Sequence, residues 1–153
     1  MRETFMFDAV DKYRNRLLQL VDKCPAEQRN VVPTGFNNSI LWQIGHILTI
    51  TEGLVFGFSG EAVHIPAEYR AFFGSGTKPA DWTEEPPTWE AIIEQLKQQP
   101  IRIREVFAGK LQAPVKENFA KADNVEEILL TNLLHENNHA GMIQAMLKVL
   151  VKG

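Results

Sequence analysis

Two histidines four residues apart, His135 and His139, carry the strongest chemical signal in this sequence. On a helix that spacing stacks two imidazoles one turn apart on one face, the arrangement that grips a single metal ion. His46 is the third candidate ligand. It falls in a stripe of Trp42, His46, Thr49, Gly53 and Phe56 at steps of three and four, so a helix there turns it inward as well. Imidazole nitrogens suit zinc or nickel first, with iron, manganese or copper as alternatives. Three neutral rings leave a divalent ion an open position, which a catalytic site has and a closed structural one lacks. The bland alternative is three separate core histidines satisfied by Thr49, Asn132, Gln144 or backbone carbonyls. Buried imidazoles need partners, however, and one shared ion supplies all three at once. The fourth histidine, His64, lies in an irregular connection, reads as exposed and has no partner to name.

The string His135-Glu136-Asn137-Asn138-His139 also fits the HExxH pattern of zinc proteases, with Glu136 as general base. The short stretch after His139 holds no His, Asp, Glu or Cys, so a third ligand must come from upstream. No strand is visible to hold an extended peptide. The protease reading is disfavoured on both counts. Glu136 keeps two candidate roles: catalytic base or partner of the ligands at the edge of the histidine face, or one half of an ion pair between helices.

Helical periodicity supplies four elements to hold these residues. The first covers about Thr4 to Lys23, with Phe5, Val10, Leu17, Leu20 and Val21 inward and Arg14, Arg16 and Asp22 off that face. The second begins after the capping residues Asn37, Asn38 and Ser39 and runs to about Ser59. The third starts at Thr88, carries Ile92, Leu96, Ile103 and Phe107, and is expected to kink at Pro100. The fourth starts at a capping box of Asp123 and Glu126 and reaches about Val151. Its inward face reads Ile128, Asn132, His135, His139, Met142 and Met146. Gly45 and Gly141 beside the histidines are expected to let neighbouring helices close up. No segment alternates as a strand does. The long connection between the second and third helices holds Tyr69, Phe72, Phe73 and Trp82, too aromatic for a slack linker, and reads as a wall or lid. The expected fold is all-α, a single-domain four-helix bundle over residues 1–153.

Composition agrees. The chain has 153 residues, 44% apolar and 23% charged, enough for one sizeable core. A formal charge of −3 argues against a general nucleic-acid binder. The single cysteine, Cys24, excludes an internal disulfide framework and any Cys-rich metal site. Residues 1–14 lack the apolar core of a secretory signal, so the expected compartment is the cytoplasm. Ile40 to Phe58 nears membrane-spanning length but carries Gln43, His46, Thr51 and Glu52, so it reads as a buried bundle helix without a membrane role.

Two of these pieces together resemble the DinB/YfiT-like superfamily of metal-binding four-helix bundles. They are Ser39-Ile40-Leu41-Trp42-Gln43-Ile44-Gly45-His46-Ile47, with its Trp-x-x-Gly-His, and His135-Glu136-Asn137-Asn138-His139-Ala140-Gly141-Met142-Ile143, with its His-x-x-x-His-x-Gly. The resemblance spans nearly the whole chain. It implies an up-down-down-up bundle, often a homodimer, with a divalent ion on His46, His135 and His139. Similar proteins include transferases and isomerases that use a low-molecular-weight thiol such as bacillithiol or mycothiol. At Asn138, Ala140 and Met142 this chain departs from relatives that carry His, Arg and Gln, which leaves the ligands intact. The implied function is a metal-dependent enzyme acting on a small molecule. The first version is a thiol-dependent S-transferase, the activated thiol attacking an electrophile held under Phe72, Phe73 and Trp82. The alternatives are a hydrolase of a small substrate using Glu136, or a non-catalytic dimerisation module with or without a metal staple.

Overall fold

The computed structural model describes residues 1–152 and is built from helices. Helix α1 spans Glu3–Val21, α2 Ile40–Thr51, α3 Tyr69–Phe73, α4 Trp89–Phe107 and α5 Val125–Lys152. Among the described residues the only β pairing is an isolated bridge between Pro114 and Asn124. The four long helices pack as a ring, α1 against α4 and α5, and α2 against the same two.

Three of the long helices, α2, α4 and α5, start at a capping side chain. Ser39 Oγ accepts from the Trp42 amide at 3.1 Å and opens α2, and Thr88 Oγ1 does the same for Ala91 at 3.2 Å in α4. At α5 the cap sits one residue later than the sequence suggested. Asn124 Oδ1 accepts from the Glu127 amide, and the Glu127 carboxylate reaches back to the Asp123 amide. Asp123 and Asn124 are both good caps, and the bridge at Asn124 decides between them. Helix α2 is almost wholly buried on every side, so it forms the centre of the molecule. The one described stretch apolar and long enough to cross a bilayer, Ile40–Gly57, owes that character to its burial here. It ends in a π-helical stretch, Glu52–Gly57.

Helix α1 corrects the expected face. Phe5 is 53% exposed and Arg14 only 1%. The buried row is Met6, Val10, Arg14, Leu17 and Val21, whose steps run straight through the arginine. Arg14 is tolerated inside because every end of it is bonded. Its Nε and Nη2 donate to the two carboxylate oxygens of Glu136, both at 2.9 Å, and Nη2 also donates to Gln99 Oε1. Its Nη1 donates to the Leu96 carbonyl at 2.7 Å. That carbonyl is the one Pro100 leaves without a helical donor four residues on, and α4 runs through Pro100 unbroken.

The core consequently has two apolar clusters with a polar belt between them. One gathers Leu17, Ile44, Ile47, Leu96, Ile143 and Met146; the other gathers Met6, Phe7, Phe56, Ile103, Phe107 and Ile128. At mid-height stand Arg14, His46, Thr51, Glu52, Gln99, Asn132 and Glu136, all buried. Glu52 takes Gln99 Nε2 at 2.9 Å and the Arg102 guanidinium at 2.6–2.8 Å, and Thr51 donates to Asn132 at 3.0 Å. Two cations and two anions thus neutralise each other inside the bundle, with hydrogen bonds completing the set.

Candidate metal centre

The belt brings the three histidines together. His46 on α2 and His135 on α5 face each other with Nε2 atoms 3.2 Å apart. One ligand nitrogen from each of His46, His135 and His139 lies within 4.8 Å of the others. Two nitrogens on one tetrahedral ion with bonds of ~2.0–2.1 Å stand roughly 3.3 Å apart, so the closest pair is already spaced for a shared ion.

Ring orientation is set by the protein. His46 Nδ1 lies 2.7 Å from the Phe73 carbonyl, and His139 Nδ1 lies 2.6 Å from Gln43 Oε1. Both partners accept, so each Nδ1 carries the proton and each Nε2 keeps its lone pair. Trp42 stacks on His46 at 4.5 Å with the planes 12° apart, and its own Nε1 donates to Thr77. His135 Nδ1 is buried without a partner. Burial is the first cause that lowers all three pKa values, to about 4 for His135 and about 3 for His139. The neighbouring His46 lowers both further. The rings are neutral near pH 7, the form a metal requires. This donor set fits a divalent ion.

Residues 9–143 of the chain match the family model of the DinB superfamily. The chain belongs to the DinB superfamily. No curated protein matches it. Within this DinB domain the expected side-chain satisfiers of the histidines are corrected: Thr49, Asn132 and Gln144 bond none of the rings, whereas Gln43 does so and the Phe73 carbonyl is a backbone partner of the expected kind. Gln43 was legible in principle, lying three residues before His46 on the same helix. The Phe73 carbonyl had no sequence signal.

The residues flanking the centre divide. Gly45 allows a close approach, by α3 rather than by a long helix: a Cβ there would stand 2.5 Å from the Phe73 ring. Gly141 faces open space, with nothing within 4 Å. Met142 is 37% exposed, and Ile143 takes the inward place, because the 3.6-residue period drifts past a strict three-four count. Glu136, 4% exposed, points both carboxylate oxygens at Arg14. His64 is exposed, and its amide donates to Glu52. The aromatic connection is pinned as a wall: Trp82 Nε1 donates to the Phe72 carbonyl at 3.0 Å and its ring packs edge-on against Phe72 and Phe73. Cys24 is buried, which pushes its thiol pKa up and leaves it a poor nucleophile.

Proposed function

We propose that this DinB-superfamily chain is a metal-dependent enzyme whose divalent ion is held by His46, His135 and His139, and that it is a thiol-dependent S-transferase acting on a small electrophile. The observation that carries this reading is the ring geometry. Gln43 and the Phe73 carbonyl commit the Nδ1 protons of two rings and leave Nε2 lone pairs facing a common point. A bound divalent ion supplies Lewis acidity and lowers the pKa of a coordinated thiol. The chain's own part is to hold three neutral imidazoles in register, to wall the site with Phe73 and Trp82, and to keep α2 and α5 aligned through Thr51 and Asn132.

Glu136 favours the thiol reading over hydrolysis. Its two oxygens are engaged by a buried guanidinium, and thiol activation by a metal asks for no carboxylate base. The non-catalytic staple is disfavoured because α2 and α5 already share apolar packing through Ile44, Ile47, Ile143 and Met146. Residue pairs fall in opposite order along α2 and α5 (Gln43 with His139, Thr51 with Asn132), and in the same order along α1 and α5 (Met1 with Glu126, Arg14 with Glu136). This supports an up-down-down-up bundle. The exposed Leu130, Leu134 and Val149 on α5 support a homodimer, which sedimentation would test.

The deciding experiment is metal analysis of untagged protein beside His46→Ala and His139→Ala. One ion per chain, lost in both variants, is the expected result, with helical circular dichroism retained after chelation. A small thiol such as 2-mercaptoethanol is expected to change the visible spectrum of cobalt-loaded protein. Equal metal traces in all three proteins would reduce the cluster to packed core histidines, and collapse on chelation would make the metal a staple.

A further inference from the structure

Next to the histidines α2 carries features that the metal reading leaves unused. Thr49 lies three residues, about one turn, beyond His46 and is 6% exposed, yet its Oγ1 is buried without a hydrogen-bond partner. An unmade bond of this kind costs ~1–3 kcal/mol, so it marks a place where a ligand atom can bond. Thr49 opens on a groove of about 640 Å³ between α2, α3 and the α4–α5 connection, with Leu54, Phe58, Val63 and Phe119 as apolar lining. That is the size of a small-molecule site.

The groove is also charged in one sense. The only charged side chains lining it are Arg70 and Lys116, and among the described residues neither forms an ion pair. The nearby carboxylate of Glu52 cannot neutralise Arg70, because Arg102, Gln99 and the His64 amide already occupy it. Arg70 Nη2 stands 3.6 Å from where a Cβ on Gly53 would sit, so the guanidinium lies over the π-helical turn that follows α2. Along the helix His46 comes first, outside the groove, and is followed by the lining residues Thr49 and Gly53, the latter beneath Arg70. Seven residues at 1.5 Å rise put the last about 10 Å from the first.

We propose that this groove is the substrate subsite of the metal centre and takes a small apolar molecule bearing one anionic group, such as a carboxylate, with its anion on Arg70 and its reacting end at Thr49 beside the histidines. The substrate role rests on the metal-enzyme reading; binding in the groove does not require the ion.

The test is calorimetric titration of the full chain with 4-phenylbutyrate and its neutral isostere 4-phenylbutanol. The acid is expected to bind roughly tenfold tighter than the alcohol, the worth of one charge-assisted hydrogen bond. Arg70→Gln, a change at an exposed residue, is expected to bring the two affinities together. Gly53→Leu, which fills the groove, abolishes both, and Val63→Trp on the exposed lip repeats that arm if Gly53→Leu does not fold. His139→Ala leaves both affinities unchanged. Equal affinities in the wild type, indifference to Arg70→Gln, or no binding of either probe would overturn the proposal. Loss of acid binding in His139→Ala would overturn it too, by placing the carboxylate on the metal. Metal analysis reads separately, so failure of the groove and failure of the metal centre cannot be confused.

Discussion

Replacing Glu136 by glutamine separates the two roles open to that residue. Its carboxylate makes two hydrogen bonds of 2.9 Å to Arg14, and the partners are 4% and 1% exposed. Glu136→Gln keeps the shape but strands a buried guanidinium without its counter-charge. Breaking a buried pair from one side costs about 3–5 kcal/mol. For a chain of this length that corresponds to a fall in melting temperature of roughly 6–20 °C, a large part of the ~5–15 kcal/mol typical of a native domain. Urea unfolding followed by circular dichroism measures it directly, with metal content measured alongside. The ion is expected to stay at one per chain, since all three imidazoles remain. The double variant Arg14→Met/Glu136→Leu is expected to be less damaging than the two singles combined, by about 1–3 kcal/mol. A Glu136→Gln protein as stable as the wild type within ~1 kcal/mol, yet inactive, would refute the ion-pair reasoning and restore Glu136 as a base.

The other predictions use the same geometry. Gly45→Ala forces the Phe73 ring to move and is expected to cost about 1–3 kcal/mol and to weaken metal retention, because the Phe73 carbonyl orients His46. Gly141→Ala meets open space and is expected to gain about 0.5–1 kcal/mol; chemical denaturation of the pair checks both signs. Thr49→Val removes a buried hydroxyl that bonds nothing and is expected to leave stability equal or higher by about 1 kcal/mol, so a loss would show the hydroxyl serving the fold. Metal-free protein should depend on pH in one direction. His135 and His139 titrate at about 4 and about 3 when folded, below the ordinary 6.5, so the unfolded chain binds more protons in between. Stability is therefore full above about pH 6.5 and lost as the pH falls through 4 and 3. A urea midpoint flat from pH 7 to pH 3 would contradict this.

Local signals in the sequence were enough for the four long helices and for the three-histidine cluster, whereas the short α3 fell in a connection expected to be irregular. Ser39 and Thr88 cap where their side chains reach the third amide onward, a fact of short-range geometry. His135 and His139 share a face because four residues make about one turn. Arg14 was not legible, since its partners lie 82 to 122 positions away and a lone charged residue in an apolar row reads as off the face. The orienting role of Phe73 was hidden for the same reason: it depends on a backbone carbonyl, which has no residue type. The close approach of the Phe73 ring to the Gly45 backbone left only the glycine as a trace.

The stacking of Trp42 on His46 gives the molecule an optical reporter of its own. Indole emission is sensitive to charge and to open-shell cations within a few ångströms. Protonation of His46, or arrival of nickel or copper beside it, will therefore dim or shift the light from one of the three tryptophans. A Trp42→Phe control subtracts the other two, and occupancy can then be titrated without attaching a dye.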